Sequence, residues 1–412
     1  MNEHFLILAG WLIDGTGGPI RKGVTLEIAD GLILSSRPSG PYDSAQPDFV
    51  NLSHCTLIPG LVDCHVHLFM SSTDDPDIRR HQLNAPFQAM KNIIARHLVQ
   101  HLAHGVVAVR DGGDYAAHTL RYKKECLPHD QIPLLVRSAG KAWHAPGRYG
   151  ELIGRPPLKG RTLAQSILKG QKGVDHVKIV NSGLNSLYEF GTETAPQFDL
   201  DPLKEAVNAG RSLGLKTMVH ANGKLAVGLA IEAGCHSIEH GFFMGKENLF
   251  KMAEKGITWV PTAFTMEAYS RALSPGRLES EIAKGNLDHQ LDQIRMACDY
   301  GVPIAVGTDS GSLGVHHGQS ISEEMRLLLS AGLSLEKVIQ SATSNGSRLL
   351  DMEKEVGRIT PGGPATFLVI RGDPGRLLEH LCSPVKIYIK GRILGTASHS
   401  LATRRNPIKN SL

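Results

Sequence analysis

The sequence predicts an α/β protein: a (β/α)8 TIM barrel with a small β-sandwich formed by both termini. Three observations lead there. Between about residues 57 and 350, short apolar runs alternate with stretches of helical spacing. Both ends of the chain are instead built of short β runs split by glycines. Residue types able to ligate a metal recur at the C-terminal ends of the apolar runs, where such barrels carry their functional groups.

The first 56 residues are strand-like. FLILAGWLID is followed by the turn Gly15-Thr16-Gly17-Gly18 and by VTLEIADGLIL. The region 357–412 has the same character. Gly357 to Gly363 is a turn cluster, and ATFLVIRGD and VKIYIKGRIL read as strands. The two ends together make one unit, 1–56 plus 357–412, beside a barrel over 57–356. Within the barrel the strand candidates are 57–65, 105–111, 133–139, 174–180, 215–221, 235–241, 257–262 and 302–309. Helix candidates lie between them, including Phe87 to Leu102, with apolar residues spaced by three and four, Pro202 to Leu213, Lys224 to Ala233 and Glu323 to Leu333. A flat doubly wound sheet is the competing architecture. No GxGxxG fingerprint or P-loop follows any strand candidate, which weakens it.

The chain has 412 residues, 41% hydrophobic and 20% charged, with a formal net charge of +4. This composition gives a globular protein with ample core and no basic run for nucleic acid. The mildly basic tail from Arg404 to Lys409 reads as a solvated terminus. Six scattered cysteines form no CxxC pair, which fits a reducing compartment. The N-terminus lacks the features of a signal peptide, and no apolar run approaches the ~20 residues of a membrane span. A cytoplasmic location is expected, with neither membrane nor nucleic acid as partner. Homo-oligomerisation is left open.

The first barrel strand ends in Asp63, Cys64, His65, Val66 and His67. Strand side chains alternate, so His65 and His67 share a face. They are either two metal ligands or simply polar residues at a strand end. Asp63 lies on their face, placed to support them, and Cys64 faces the packing side. The fourth strand carries Lys178, the fifth ends in His220, the sixth in His240 and the eighth in Asp309. Six such residues on five strands form a candidate metal cluster. Lys178 is a poor ligand as an ammonium, with a reference pKa of ~10.4. As a neutral amine it can take up CO2 to give an anionic carbamate, and burial near cations favours the neutral amine. The alternative is a structural lysine, or one paired with Asp175 or a substrate anion.

The motifs LIPGLVDCHVH, GVVAVRDGG, GVDHVKIV, MVHANG, SIEHG, VGTDSG and VGRITPGGPATFLVI resemble those of the amidohydrolase superfamily, in its imidazolonepropionase-like and metal-dependent dipeptidase (prolidase-like) branch. The resemblance spans essentially the whole chain. It implies that His65, His67 and Asp309 bind the more buried of two divalent metal ions and that His220 and His240 bind the second. Lys178, carboxylated by CO2, would bridge the two. Zinc is the usual metal, and Mn2+, Co2+ or Fe2+ suit the same ligands. The implied reaction is hydrolysis of a small-molecule C–N amide bond by a hydroxide held between the metals, with Asp309 as proton shuttle. His144, after the third strand in GKAWHAPGRYG, matches a histidine that polarises the scissile carbonyl in related dipeptidases; it is otherwise a loop histidine.

Three loops are expected at the mouth, 143–150, 181–198 and 310–320. Arg148, Tyr149, Tyr188 and His317 are the candidates there for holding a substrate carboxylate or aromatic group. Asn222 stands where related dipeptidases often have a tyrosine, which puts ordinary dipeptidase specificity in doubt. Dipeptides, N-acyl amino acids and cyclic amides are open as substrates. The competing activity is a mononuclear deaminase or cyclic-imide hydrolase with Lys178 unmodified. A metal-free scaffold is a third alternative. His97, His101 and His104 have helical spacing and read as a solvated face.

Overall fold

The computed structural model describes residues 4–394 except positions 46, 74, 171 and 275; the basic tail lies outside them. The protein is a mixed α/β fold with parallel-strand sheets. Strands His4–Leu12, Arg21–Ala29, Leu32–Pro38 and Phe49–Pro59 from the N-terminal region join Phe367–Arg371, Lys386–Ile389 and Arg392–Ile393 in one seven-stranded sheet. Phe49–Pro59 is its hinge, running parallel to His4–Leu12 on one side and antiparallel to Phe367–Arg371 on the other. The sheet curls. Leu32 on its edge bridges Pro364, and the Ile33 amide donates to the Gly363 carbonyl at 2.9 Å. Ile7, Leu26, Ile28, Phe367 and Tyr388 fill a core of its own.

The expected first barrel strand, 57–65, is in fact two strands. Residues up to Pro59 belong to the terminal sheet, and Leu61–Val66 pairs in parallel with Val106–Asp111. Gly60 is the joint: a Cβ there would come within 2.5 Å of Val107 Cγ2. Only glycine lets the chain cross so closely from one sheet to the next.

Leu61–Val66, Val106–Asp111 and Leu135–Ser138 form a three-stranded parallel sheet. Thr258–Val260, Ser237–His240, Lys216–Ala221, His176–Val180, Ala142–Trp143 and Gly154–Arg155 form a six-stranded one. The two sheets are linked where the Asp175 amide, just before His176–Val180, donates to the Ser138 carbonyl at 3.0 Å. At the other edges, the eighth strand candidate has no regular ladder, only bridges of Ile304 to Trp259 and of Ser310 to Val66. Its amides and carbonyls nevertheless serve both neighbours: Ala305 N donates to Trp259 O at 2.9 Å, Cys64 N to Val306 O at 2.9 Å and Asp309 N to His65 O at 2.7 Å. Strands buried on both faces read as continuous apolar runs, as these do.

Helices fill most intervals close to where spacing places them, among them Phe87–Ala103, Leu200–Ser212, Lys224–Glu232 and Ser320–Ser330. No helix of the described residues is long and apolar enough to cross a membrane. All six cysteines are free. The histidine face on Phe87–Ala103 is not solvated. His97 and His101 are buried: His97 hydrogen-bonds the Leu68 carbonyl at 2.8 Å, and His101 Nε2 lies 3.2 Å from His317 Nδ1. Helical spacing distinguishes one face from another but does not say which face is wet.

Candidate active site

The C-terminal ends of the parallel strands bring His65, His67, Lys178, His220, His240 and Asp309 onto one cavity of about 250 Å3. Ring centroids of His65 and His67 are 5.5 Å apart, of His65 and His240 5.0 Å, and of His220 and His240 4.5 Å. Asp309 Oδ1 lies 3.6 Å from His65 Nε2 and 3.5 Å from His67 Nε2. His65, His67 and Asp309 offer three ligand atoms within 4.8 Å of one another and could hold a metal ion.

Each imidazole commits one nitrogen outside the cluster. His65 Nδ1 pairs with Glu239 Oε2 at 2.9 Å, and His67 Nδ1 donates to the Gly113 carbonyl at 3.0 Å. His220 donates through Nε2 to the Gly183 carbonyl at 3.1 Å, and His240 Nδ1 meets Thr262 Oγ1 at 2.7 Å. That leaves Nε2 of His65, His67 and His240 and Nδ1 of His220 turned inward. Hydrogen bonds of this kind fix the tautomer of a metal-binding histidine. Burial, reinforced by the charge of Lys178, holds all four imidazoles neutral: His67 and His220 fall to about 3, His65 and His240 well below the usual range. Neutral rings keep the lone pair a cation needs.

Lys178 is buried and its Nζ has no hydrogen-bond partner. Burial lowers its pKa to about 8, against the pull of Glu239. Burial also raises Asp309, to about 7, against the Ser312 hydroxyl that donates to its Oδ2 at 3.0 Å. Two cluster members hold backbone that L-residues rarely adopt, His240 at φ 65° and Asp309 at φ 59°. Such strain costs of order 1–3 kcal/mol per residue and gathers at functional sites. The strand-end turn at Asp309 also requires Gly307, where a Cβ would meet Val260 Cγ1 at 2.4 Å and His65 Cβ at 2.9 Å.

Beneath the cluster lies a network that residue spacing did not single out. Glu239, fully buried, accepts from Arg110 Nη2 at 2.8 Å as well as pairing with His65. Arg110 also donates to Cys64 O at 2.7 Å and Ser237 Oγ at 3.0 Å. Strand alternation would put Glu239 and His240 on opposite faces, but both approach His65, because the positive φ at His240 breaks the alternation. An acid inside a buried strand was the available signal. Asp63 takes the supporting place expected of it: it accepts from the amides of His65 at 3.3 Å and Thr308 at 3.0 Å and from the Thr308 hydroxyl at 2.7 Å. It thereby ties the His65 strand end to the one carrying Asp309. Cys64 is packed in the core.

The expected substrate contacts divide. Tyr149 lines the cavity, its ring 5.6 Å from His220. Asn222 lines it too, but its side chain is occupied by the Gly183 carbonyl and the Phe242 amide. Arg148 donates to the Ala195 carbonyl at 2.9 Å and does not line the cavity. Tyr188 is 74% exposed and also stands outside it. His317 is buried away from it, stacked on His97 at 3.9 Å and bonded through Nε2 to the Met70 carbonyl. His144 is buried with Nδ1 on the Ala145 carbonyl and Nε2 without a partner, and it does not line the cavity. Arg79, Met266 and Tyr269 line the cavity unforeseen, since they sit on helices that follow strands rather than at the strand ends themselves.

Parallel strands carrying a histidine–carboxylate cluster at their C-terminal ends define a hydrolase whose pocket can hold a metal. The amidohydrolase family matches residues 56–396, and the chain belongs to that family. It is accordingly an enzyme, a hydrolase of carbon–nitrogen bonds. It is 24% identical over 397 residues to the ochratoxinase of Aspergillus niger, covering 90% of this chain and 81% of that one. With the imidazolonepropionase of Alkaliphilus oremlandii it shares 27% identity over 180 residues, 42% of this chain and 37% of that one. A solved Xaa-Pro dipeptidase with methionine bound in its active site is similar in fold, with a TM-score of 0.78 at 24% identity, covering 95% of this chain and 100% of that one.

Proposed function

We propose that the enzyme hydrolyses an amide bond of a small molecule at a binuclear metal centre, with Asp309 as proton shuttle. The carrying observation is that four neutral imidazoles each keep one nitrogen free toward a single cavity, around an unpartnered buried lysine. This donor set fits two divalent ions. His65, His67 and Asp309 would hold one and His220 and His240 the other. Lys178 would bridge them as a carbamate, formed when its neutral amine adds CO2 and releases a proton. Zn2+ suits these nitrogen and oxygen donors, as do Mn2+, Co2+ and Fe2+. When bound, the ions supply a hydroxide near neutral pH and a Lewis acid for the carbonyl oxygen.

The chain's own groups do the rest. Asp309, steered by Ser312, takes the proton from the attacking oxygen and passes it to the leaving nitrogen. His144, whose Nε2 is spare, would polarise the scissile carbonyl by turning toward the cavity from behind its present lining. Tyr149 contacts the substrate from above His220.

We further take the two parallel sheets as one closed (β/α)8 barrel running from Leu61 to about residue 356, with residues 4–59 and 357–394 as a β-sandwich beside it, so that the boundary expected at 56/57 moves to Gly60. The hydrogen bonds linking 303–310 to both neighbouring strands, and the separate core of the curled terminal sheet, support this division. A mononuclear deaminase or cyclic-imide hydrolase is the second reading, favoured by the tight grouping of His65, His67 and Asp309 alone. Metal analysis of the purified enzyme, with 13C NMR after growth in 13C-bicarbonate, separates the two. Two ions per chain and a carbamate signal are expected, with turnover of members of an amide library. One ion per chain and no carbamate would sink the binuclear centre.

A further inference from the structure

The cavity's charge is lopsided. At its floor stand the four histidines, Lys178 and Asp309. Its walls are largely apolar, including Leu184, Leu187, Phe242 and Met266, and the one full charge among the described wall residues is Arg79. Arg79 sits on the short helix Pro76–Gln82 and is partly buried. Its Nη1 donates to the Thr73 carbonyl at a long 3.3 Å, and no carboxylate pairs with it among the described residues. The next residue on that helix, Arg80, faces outward and is paired with Asp77 at 2.8 Å. An arginine that lines an apolar cavity with most of its donor fork unused is arranged for a planar anion. The acids point the same way. Among the described residues Asp309 is the one carboxylate lining the cavity, and His65, His67 and Ser312 already surround it. A free ammonium on a substrate would meet cations and apolar walls, without a counter-charge.

We infer that Arg79 is a specificity-determining residue that binds a substrate carboxylate. The substrates would be amides with an apolar group, a free carboxylate and no free amino group, the class of N-acyl amino acids rather than dipeptides with a free N-terminus. This rests on the amide-hydrolase reading above and narrows it. A carboxylate held bidentately by a guanidinium strengthens binding without entering the chemistry, so its loss acts on KM.

The test uses the metal-loaded full chain and three compounds: N-benzoyl-L-leucine, N-benzoyl-L-leucinamide and L-phenylalanyl-L-leucine. Turnover is followed as benzoate or phenylalanine release, and binding of N-benzoyl-L-leucine by calorimetry. For the wild type, N-benzoyl-L-leucine should exceed both other compounds in kcat/KM by roughly 10- to 100-fold. Arg79→Gln should remove its advantage over the carboxamide, through KM with kcat little changed, and should weaken calorimetric binding by the same factor. Arg79→Lys should restore part of it, and Arg80→Gln should change nothing. If Arg79→Gln leaves the preference for the carboxylate and its binding intact, Arg79 is not the anion site. Hydrolysis of the free dipeptide as fast as the N-acyl compound overturns the exclusion of the amine. If no amide is cleaved yet calorimetry shows Arg79-dependent carboxylate binding, the amide-hydrolase reading fails while the anion site stands. If neither turnover nor carboxylate-dependent binding appears, both fall.

Discussion

Replacing Glu239 by Gln perturbs the cluster without touching any proposed ligand. Glu239 is fully buried, and the Arg110 guanidinium facing it is nearly so, with N–O distances of 2.8 Å to Arg110 and 2.9 Å to His65. Gln keeps the shape and one acceptor but removes the charge. Breaking a buried pair from one side costs about 3–5 kcal/mol, because the partner charge is left uncompensated. The remaining neutral hydrogen bond recovers about 1 kcal/mol, so the expected loss is about 2–4 kcal/mol. His65 loses the anion that fixes its tautomer, and supports of this kind are worth about 10- to 100-fold in metal affinity. Urea unfolding gives the first quantity, and competition with a chromophoric chelator for Zn2+ gives the second. The double variant Glu239→Gln/Arg110→Met should cost less than the sum of its parts, since it removes the stranded cation as well. A single variant within about 0.5 kcal/mol of wild type, with unchanged metal affinity, would refute the claim that this ion pair both supports the fold and orients His65.

Asp309→Asn should lower kcat by about 10²–10⁴-fold, the size of a lost general acid–base contribution, while the circular dichroism spectrum is unchanged; retention of full activity would remove Asp309 from the proton path. Lys178→Met replaces a buried amine that has no hydrogen-bond partner. Thermal unfolding of this variant after metal removal should therefore show equal or greater stability, while the metal content of the loaded enzyme falls from two ions per chain. Glu324 reports on pH: burial pushes its carboxyl up to about 8, although it accepts from the Ala263 and Phe264 amides at 3.0 and 2.7 Å. Its folded pKa lies above its unfolded one, so the stability it contributes is full below about 4.5 and is lost as pH rises through about 8. Glu324→Gln should flatten the fall in unfolding free energy between pH 5 and 8 by up to about 1.4 kcal/mol per pH unit. An unchanged slope would mean that Glu324 does not carry this proton.

The legible part of the site was the part governed by period two. His65 on one strand with His67 just past its end, and Lys178 and His220 on two others, could be placed because alternation and strand ends are local features of the chain. Where the backbone leaves regular geometry, that legibility stops. Gly60 divides one apolar run between two sheets, and the left-handed residue His240 brings Glu239 onto the side of its neighbour. The wall of the cavity was hardest to foresee. Arg148 and His317, both on expected mouth loops, are engaged elsewhere, whereas Arg79 and Tyr269 reach the cavity from helices.

By itself the sequence determined the alternation of strand and helix, the β-rich termini and the set of ligand-type residues at strand ends. Each of these is written in spacings of a few residues, set by the geometry of the strand and the helix. Only the tertiary structure decided which nitrogen of each imidazole faces inward, that Glu239 and Arg110 stand beneath His65, and which arginine meets the cavity. These depend on contacts between residues as far apart as 174 positions, between His65 and Glu239. No local period records such contacts, because the packing of whole elements sets them.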